Sequence, residues 1–396
     1  MKVKNALAVY LHIPFCRVRC PYCDFNTYAG MQSLIPAYVE ALCRVIAREG
    51  AASGFQSART VYFGGGTPSL LKPSHVVRLI EAVNAVLPFT ADCEITLEAN
   101  PVTADAARFA GFRAAGVNRL SFGVQSFSDR LLKVLGRDHD AAQARRALRL
   151  AQSAGFENVS LDLMYALPNQ SLADWQHDVE QVLALAPEHL SLYCLTVEPT
   201  TPYARWVGSG RIKLPGDDIA ADMYAHARER LAAVGYEHYE LSNWALPGRE
   251  GLHNQIYWRY EPYLGLGAGA HGYLHGKRTE EIRKPRAYIE RALSGDSTVL
   301  RSENISRATA MEESVFLNLR LLQQGIVRQE FAARFGADPA MLFNRELAEL
   351  ARAGLVSVDE TSIRLTPQGY FLANEVCVQL ITALEARLNT AATAPF

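Results

Sequence analysis

Apolar, β-rich segments alternate with amphipathic segments over the first half of the chain. Six segments show the branched and aromatic residues typical of buried strands, at residues 8–13, 60–63, 93–98, 119–122, 159–164 and 190–195. Five segments show helical spacing of apolar residues, at 34–49, 73–87, 103–115, 139–154 and 171–185. Because strands and helices alternate, the pattern predicts an α/β fold whose parallel sheet curves into a full or partial barrel.

Beyond about residue 300 the pattern changes to helices followed by a hairpin. The predicted elements are three helices and two strands, at 312–322, 327–335, 341–353, 354–358 and 362–366. This order is typical of a winged-helix module. Residues 311–380 hold six arginines, no lysine and nine acidic residues, a net charge of −3. Because such a surface repels phosphate, we expect a lid or docking surface rather than a DNA-binding domain.

Composition permits several domains in this chain of 396 residues, of which 49% are hydrophobic. We expect a barrel core at 1–235, an extension at 236–300, the winged-helix-like domain at 301–385 and a flexible tail at 386–396. The net charge of −1 predicts no surface for nucleic acid. The beginning of the chain does not resemble a secretory leader, and no apolar run reaches the roughly 18 residues of a membrane span. With seven cysteines, mostly isolated, we expect a cytoplasmic protein.

Cys16, Cys20 and Cys23 form a C-x3-C-x2-C motif directly after the first predicted strand. An ordinary [4Fe–4S] cluster takes four thiolates, so three neighbouring cysteines predict a cluster with one iron open to another ligand. Structural zinc is an alternative, but it needs a fourth ligand, for which His12 is the nearest candidate. A disulfide is disfavoured, because three clustered cysteines cannot all pair with one another and the other four are scattered.

Polar residues follow several predicted strands, at the edge where parallel α/β folds gather their chemistry. The candidates are the Gly-Gly-Gly-Thr-Pro turn at 64–68, Glu98, Gln125, Arg137 and Asp162. Glycine N–H groups suit a carboxylate ligand, although a turn that needs positive φ is the simpler explanation of such a run. Each polar side chain alone could be a cap or a surface group. An acid inside an apolar strand, such as Asp162, rarely lacks a role.

These segments carry a resemblance to a known family. The chain resembles radical S-adenosylmethionine (SAM) proteins of the oxygen-independent coproporphyrinogen III oxidase superfamily, and within it the heme chaperone branch. The matching segments are Tyr10-Leu-His-Ile-Pro-Phe-Cys, Gly-Gly-Gly-Thr-Pro, Phe122-Gly-Val-Gln-Ser-Phe and Asp162-Leu-Met-Tyr-Ala-Leu-Pro. The resemblance covers nearly the whole chain. It implies a partial (β/α)6 barrel of the radical SAM type and a winged-helix-like C-terminal domain of the HemN type.

The same resemblance implies two cofactors. Cys16, Cys20 and Cys23 would bind a [4Fe–4S] cluster, whose fourth iron is chelated by the amino and carboxylate groups of SAM. The residues implied to line the SAM pocket are Tyr10, Gly65, Gly66, Thr67, Glu98, Gln125, Arg137 and Asp162. Their chemistry suits this ligand, since N–H groups and Arg137 bind anionic groups and carboxylates bind amino groups or ribose hydroxyls.

Two departures favour the chaperone branch over the oxidase. The oxidase has a fourth cysteine two positions after the third, where this chain has Phe25. The chain also begins almost at the cluster motif, whereas the oxidase carries an N-terminal extension that helps to shape its porphyrinogen site. We therefore expect no decarboxylation of coproporphyrinogen III.

The segment His253-Asn-Gln-Ile-Tyr-Trp matches the H-N-x-x-Y-W motif of the heme chaperone branch. The resemblance implies heme binding by His253, Asn254, Tyr257 and Trp258, with His253 as the iron ligand. Without the resemblance, a histidine and two aromatics packed at a domain junction would be the better interpretation. The glycine-rich run that ends at His271 lacks the spacing of a dinucleotide site and indicates close backbone packing, and His271 has no assigned role.

The sequence thus predicts a heme chaperone with heme, a [4Fe–4S] cluster and SAM. Its partners would be heme and apo-hemoproteins, membrane respiratory enzymes among them. Two alternatives stay open: a radical SAM enzyme that decarboxylates a porphyrinogen, and a binding protein whose assembly is regulated by SAM and the cluster. The identity of the acceptor, the mode of heme attachment, the turnover of SAM and the formation of a homodimer are not determined by the sequence.

Overall fold

The computed structural model describes residues 5–393 and divides the chain into two compact units. The first unit comprises the chain up to Glu237, together with Trp244–His253 and Pro262–Glu303. The second comprises His238–Asn243, Asn254–Glu261 and the chain from Asn304 onward. The extension predicted at 236–300 is therefore divided between the two units. The predicted domain boundaries after residues 235, 300 and 385 stay a prediction.

The strands, in chain order, are β1 Ala6–Ile13, β2 Phe15–Cys16, β3 Tyr28–Ala29, β4 Ser57–Gly65, β5 Phe89–Ala99, β6 Arg119–Gln125, β7 Val159–Tyr165, β8 His189–Cys194, β9 Glu237–Glu240, β10 Asn243–Ala245, β11 Tyr263–Leu266, β12 His271–Leu274, β13 Lys277–Glu281, β14 Val299–Asn304, β15 Ile326–Val327, β16 Val356–Val358 and β17 Ser362–Leu365. Short 3₁₀ turns lie at Gln32–Leu34, Pro68–Leu70, Pro101–Thr103 and Gly369–Leu372.

The helices are α1 Ile35–Ala52, α2 Pro73–Val86, α3 Ala106–Ala114, α4 Asp129–Val134, α5 Ala141–Ser153, α6 Leu172–Leu185, α7 Pro202–Gly208, α8 Asp217–Ala232, α9 Leu252–Trp258, α10 Pro285–Ser294, α11 Arg307–Asn318, α12 Arg328–Phe335, α13 Pro339–Leu342, α14 Asn344–Arg352 and α15 Ala373–Thr393. Capping boxes at Asp140 and Ser171 begin α5 and α6, since each side chain accepts a backbone N–H of its helix. Within the described chain, no helix has the length and apolarity needed to cross a membrane.

Six parallel strands form the centre of the first unit, in the order β1-β4-β5-β6-β7-β8. They correspond to the six predicted strands, and helices follow each of them, which confirms the α/β prediction. The outer neighbours of β1 and β8 are β11 and β10, so these six strands do not close on one another. The result is a partial (β/α)6 barrel. Its C-terminal strand ends carry the candidate site.

The segment after the heme motif adds strands that the sequence did not predict. Strand β11 pairs parallel to β1, and β12 and β13 follow as antiparallel strands. Glycines permit this junction: a Cβ on Gly265 would overlap the carbonyl of His271, and a Cβ on Gly267 would lie 2.5 Å from the carbonyl oxygen of His12. The predicted close backbone packing of this glycine run is thus confirmed.

The second unit has its own apolar core. Helices α11 to α15 surround it, with the antiparallel sheet β15-β17-β16 beside them. The core includes Val315, Phe331, Phe343, Ile363 and Leu380, all of them buried. The predicted hairpin is present as β16 and β17. The helices and hairpin agree with the winged-helix-like prediction.

Two local predictions in the second unit differ from the structure. The helix predicted at 341–353 is two helices, α13 and α14, because Phe343 leaves the helical region at φ −111° and packs into the core. The flexible tail was predicted from residue 386, but α15 continues to Thr393, since its apolar residues up to Leu384 pack into the core and the helix propagates from them. Residues 394–396 lie outside the described residues.

Candidate functional site

The three motif cysteines lie on one loop at the C-terminal edge of the first unit's sheet. Cys16 ends β2, whose pairing with β3 closes the loop at its base. The loop is turned by a hydrogen bond from the Cys23 N–H to the Cys20 carbonyl, 3.2 Å long. Cys16 is buried, whereas Cys20 and Cys23 are partly exposed, and all three are free thiols. Three soft ligands are thus presented together at the edge of the barrel.

Burial opposes ionisation of these thiols, and two side chains act against that effect. Burial raises the pKa of Cys23 to about 11 and also raises the pKa of Cys16, and neighbouring thiols of the loop contribute to both shifts. The Thr67 hydroxyl donates to the Cys16 Sγ at 3.6 Å, and the Arg137 Nη1 donates to the Cys20 Sγ at 3.5 Å. Donors directed at sulfur stabilise thiolates and tune iron–sulfur clusters.

The donor set fits a [4Fe–4S] cluster. Three free thiols lie on one loop, with a hydroxyl and a guanidinium directed at two of the sulfurs. In the part of the chain that the structure describes, no group of three or more His, Cys, Asp or Glu side chains is arranged to hold a metal ion. A cluster differs from a single ion because each thiolate binds a different iron.

The Gly-Gly-Gly-Thr-Pro turn packs against the cysteine loop. Three of its N–H groups are engaged internally: Gly65 donates to Glu98 at 3.0 Å, Gly66 to the Ile13 carbonyl at 2.9 Å, and Thr67 to the Phe15 carbonyl at 2.8 Å. In this arrangement the glycines provide a tight turn, with φ of 106° at Gly65, rather than free donors for a carboxylate. Their contribution to a SAM pocket stays a prediction.

Glu98, at the end of β5, is linked to β4 by two hydrogen bonds. The Tyr62 hydroxyl donates to its Oε1 at 2.8 Å, and the Gly65 N–H donates to its Oε2. Burial raises the pKa of Glu98 to about 7, and the negative charge of Asp162 contributes to the shift. A buried carboxyl group with a raised pKa at the end of a barrel strand is a candidate functional position, and its role at a SAM site stays a prediction.

Asp162 lies one strand further along than Gln125 and is surrounded by hydroxyl groups. The Ser121 hydroxyl donates to both carboxylate oxygens, at 3.0 and 3.1 Å, and the Ser160 hydroxyl donates at 3.3 Å. Burial raises the pKa of Asp162, whereas these hydrogen bonds favour the charged form. The charge of Asp162 contributes to the raised pKa of Glu98, so these two predicted residues share one electrostatic environment.

Gln125 and Arg137 meet beside Gly123. The backbone of Gln125 has a φ of 69°, where β6 shifts its register against β7. Such a conformation is uncommon for a residue with a side chain and is found at functional sites. The Arg137 Nη2 donates to the Gly123 carbonyl at 2.6 Å while its Nη1 contacts Cys20. The Gln125 side chain lies at the same glycine, since a Cβ there would be 3.0 Å from its Nε2.

Tyr10 connects the barrel interior to the cysteine loop. Its hydroxyl donates to the His12 Nδ1 at 3.0 Å, and the His12 Nε2 donates to the Asn26 carbonyl at 3.0 Å. Burial lowers the pKa of His12 to about 4, so the ring is neutral. The Tyr10 ring also stacks on Tyr62 with centroids 6.1 Å apart. Tyr62 thus contacts both Tyr10 and Glu98.

His253 is buried in the first unit, with 1% of its surface exposed. Its Nδ1 shares a hydrogen bond of 2.7 Å with the Thr60 hydroxyl, and its ring stacks on Tyr62 at 4.9 Å between centroids. Burial, with the nearby charge of Arg119, lowers its pKa to about 3. The ring is therefore a neutral, packed histidine in this arrangement, and heme ligation by His253 stays a prediction.

The other residues of the heme motif belong to the second unit. The carbonyl of Trp258 accepts a hydrogen bond of 2.7 Å from the Asn318 side chain, and the Arg320 guanidinium lies 4.3 Å from the centre of its indole. Asn254, Tyr257 and Trp258 are partly exposed. The unit boundary falls between His253 and Asn254, so helix α9 joins the two halves of the motif.

Comparisons with known proteins find relatives that match most of the chain. A family model described as the Radical SAM superfamily matches residues 10–182, and one described as the HemN C-terminal domain matches residues 305–372. The heme chaperone HemW of Bacillus subtilis (strain 168) is 38% identical over 370 residues, 93% of this chain and 97% of the relative. The heme chaperone HemW of Escherichia coli (strain K12) is 41% identical over 337 residues, 83% and 86% of the two chains.

The chain belongs to the HemW family of radical SAM proteins. Among solved structures, coproporphyrinogen III oxidase (HemN) from Escherichia coli, described as a radical SAM enzyme, matches with a TM-score of 0.82 at 25% identity, covering 96% of this chain and 90% of that chain. The predicted resemblance and the predicted fold are thus confirmed. Phe25, which the sequence predicts to distinguish the chaperone branch from the oxidase, follows Cys23 by two residues and has 62% of its surface exposed.

In this HemW family member, several residues that contact or adjoin the candidate site residues were not predicted. Tyr62 joins Glu98 to His253, Asn26 anchors the cysteine loop, and Asp178 accepts hydrogen bonds of 2.7 Å from the Ser126 hydroxyl and the Phe127 N–H, just after Gln125. The two-residue period of strand β4 could have placed Tyr62 on the face of Gly64. Asp178 lies on α6, a helix far from this loop in sequence, and no local pattern marks it.

Proposed function

We propose that this protein is a cytoplasmic heme chaperone that binds heme, a [4Fe–4S] cluster and SAM and transfers heme to apo-hemoproteins, respiratory enzymes of the membrane among them. Its membership of the HemW family carries the proposal, because curated relatives that match it over most of their length are named heme chaperones. The charge of the chain, −1 in total, is consistent with a small-molecule and protein partner rather than nucleic acid.

Cys16, Cys20 and Cys23 would hold the cluster as thiolates. When bound and reduced, such a cluster can transfer one electron to SAM. Thr67 and Arg137 would donate hydrogen bonds to the cluster thiolates, as they do to the free thiols. Arg137 also holds the Gly123 carbonyl, so one side chain links the cluster loop to the end of β6.

The carboxyl groups of Glu98 and Asp162 would accept hydrogen bonds from the amino group or the ribose hydroxyls of SAM. Gln125 extends from a strained backbone position beside Arg137. Tyr10 would contribute an aromatic wall. Gly65 and Gly66 would let the turn pack tightly beside the site, because a side chain at either position would collide with His12 or with the backbone of Ile13 and Phe15.

His253, Asn254, Tyr257 and Trp258 are the heme residues implied by the family. A neutral imidazole is the form that ligates iron, and burial keeps His253 neutral. Because its ring is buried against Thr60 and Tyr62, ligation by His253 requires α9 to move its first turn out of this packing. Heme binding at the motif would therefore be coupled to a conformational change.

Porphyrinogen decarboxylation is the second candidate function. The solved oxidase with a TM-score of 0.82 favours it, since that likeness covers nearly the whole chain. Phe25 argues against it, because the oxidase has cysteine at this position by the resemblance described above.

One experiment separates the two functions. Anaerobically reconstituted protein is titrated with hemin while the Soret band is followed, and a second sample receives reductant, SAM and coproporphyrinogen III. Stoichiometric heme binding without protoporphyrinogen supports the chaperone, and heme transfer to an apo-hemoprotein completes the test. Protoporphyrinogen formation without tight heme binding would reject the proposal and establish an oxidase.

A further inference from the structure

Gln125 occupies a strained turn at the end of β6. Its φ of 69° lies in the left-handed region, and the Ser126 N–H donates to the Val124 carbonyl at 2.9 Å across it. A three-residue turn with a positive φ at its centre is a rare conformation for a residue other than glycine. Such a turn persists only where the surrounding contacts hold it in place.

Asp178 holds the two residues that follow the centre of this turn. Its Oδ2 accepts a hydrogen bond of 2.7 Å from the Ser126 hydroxyl, and its Oδ1 accepts one of 2.7 Å from the Phe127 N–H. The Ser126 hydroxyl oxygen in turn accepts the Ser128 N–H at 3.0 Å. One carboxylate on α6 thus fixes the backbone directly after Gln125.

The burial of Asp178 indicates a specific role for its carboxylate. Asp178 is fully buried on a face of α6 whose other buried residues, Trp175, Val179 and Val182, are apolar. Burial raises the pKa of Asp178 to about 6, whereas its two hydrogen bonds favour the charged form. An acid in such surroundings is costly unless polar partners offset the cost. The partners named above both belong to the Gln125 turn.

A second side chain holds the turn from the other side. The His139 Nε2 donates to the Val124 carbonyl at 3.0 Å. Burial lowers the pKa of His139 to about 4, so this ring is neutral. Asp178 and His139 therefore fix the backbone on both sides of Gln125.

The side chain of Gln125 has an unused acceptor. Its Nε2 lies beside Gly123, whereas its Oε1 is shielded from solvent and accepts no hydrogen bond from any residue that the structure describes. Buried carbonyl oxygens usually have a partner. A ligand with N–H or O–H groups would supply one, and SAM carries such groups on its amino end, its ribose and its adenine.

We propose that Asp178 is a positioning residue of the SAM site, which holds Gln125 in its strained turn and so directs the side-chain amide at SAM. Asp178 itself would not contact SAM. The inference rests on the SAM binding proposed above. It goes beyond that proposal, because Asp178 lies outside the segments that carry the family resemblance.

A double-mutant cycle between Asp178 and Gln125 tests the inference. The affinity for SAM is measured by isothermal titration calorimetry on the anaerobically reconstituted full chain. We expect Gln125→Ala and Asp178→Ala each to weaken SAM binding by at least about tenfold. The double variant should bind no more than about twofold more weakly than Gln125→Ala, because a side chain that is already absent cannot be displaced further.

A conservative variant and a control separate positioning from general stability. Asp178→Asn should retain the affinity within about threefold, since its oxygen can accept the Phe127 N–H and its amide can donate to the Ser126 hydroxyl oxygen. Asp174→Asn removes a carboxylate from the capping box of the same helix, and we expect unchanged affinity. Hydrogen exchange at residues 124–128 should be faster in Asp178→Ala and unchanged in Asp174→Asn.

The outcomes are distinguishable. If Asp178→Ala keeps the wild-type affinity, or if its loss adds fully to that of Gln125→Ala, the inference is overturned and the proposed SAM binding stands. Should Asp178→Ala not fold, Ser126→Ala removes one of the two hydrogen bonds and takes its place in the cycle, with the same two outcomes.

Two further results bear on the proposed function. If Gln125→Ala keeps the wild-type affinity, Gln125 is not a SAM residue, and the inference is overturned together with that assignment. If the wild-type protein itself does not bind SAM, the SAM part of the proposed function is rejected and the inference with it.

Discussion

Glu98 is the residue whose ionisation most directly affects the candidate SAM site. Its pKa of about 7 is above the ordinary value of 4.5, so between these pH values the folded protein holds a proton that the unfolded chain has released. Its contribution to folding stability is therefore complete below pH 4.5 and is lost as the pH rises through about 7. The charged form, which suits SAM, is thus the form that burial disfavours.

SAM affinity should accordingly depend on pH. Between pH 6 and pH 8 we expect the affinity of the wild-type protein to rise by roughly tenfold, because the ionised fraction of a group with a pKa of about 7 rises by that factor. Glu98→Gln should bind weakly at both pH values and show little dependence. Isothermal titration calorimetry measures both proteins, with Glu81→Gln on the surface of α2 as control. A steep pH dependence in Glu98→Gln would contradict the assignment.

Arg137 links the cysteine loop to the end of β6, since it donates hydrogen bonds to both Cys20 and the Gly123 carbonyl. Arg137→Lys keeps the charge but cannot make both hydrogen bonds. We expect the reconstituted cluster to be lost to a chelator several-fold faster, as followed by its visible absorbance. Arg130→Lys, which alters the exposed ion pair with Asp174, serves as control. Equal rates of cluster loss in the two variants would show that the hydrogen bond from Arg137 to Cys20 does not stabilise the cluster.

Helix α9 is the element on which the heme motif depends, and strand β5 fixes its beginning. Both oxygens of Glu94 accept backbone N–H groups there, from Leu252 at 2.9 Å and from His253 at 3.1 Å. A carboxylate at the beginning of a helix satisfies free N–H groups and interacts favourably with the helix dipole. Glu94 thus keeps His253 within reach of Thr60 and Tyr62.

Replacing this cap should loosen the first turn of α9. Glu94→Gln retains one acceptor but places an amide N–H against the second backbone N–H, at a cost of about 1 kcal/mol. We expect faster hydrogen exchange at residues 252–258 and, if heme ligation by His253 requires α9 to move, a faster hemin on-rate. Glu290→Gln on the exposed side of α10 is the control. Unchanged exchange in Glu94→Gln would mean that other contacts hold the helix.

At the scale of the whole molecule, charge argues against nucleic-acid binding by the winged-helix-like second unit. Residues 311–380 have a net charge of −3, and the chain as a whole −1. Three arginines of this unit, Arg320, Arg328 and Arg387, form ion pairs with acidic neighbours, which further reduces the positive charge available to phosphate.

The full chain should therefore not retain nucleic acid. In a gel-shift experiment at low salt and micromolar protein, we expect no complex with duplex DNA or RNA, before or after cluster reconstitution. A basic winged-helix protein provides the positive control for the assay. A salt-sensitive shift at low protein concentration would contradict this prediction. It would show that a local cluster of positive charge, rather than the net charge, determines nucleic-acid binding.

The sequence by itself determined the local features of the protein. Regular alternation of apolar strands and amphipathic helices predicted the parallel sheet, because the periods of two and 3.6 residues are set by backbone geometry. The spacing of Cys16, Cys20 and Cys23 and the acids at strand ends predicted the site for a similar reason, since parallel strands bring their carboxyl ends to one edge.

Only the tertiary structure decided how these groups are used. His253 contacts Thr60, 193 positions earlier, and Glu94 caps a helix 158 positions later. The N–H groups of the glycine turn are used by Glu98, Ile13 and Phe15 instead of a ligand. Such contacts join segments that are distant along the chain. Their geometry depends on how the whole sheet packs, so a local sequence pattern cannot predict them.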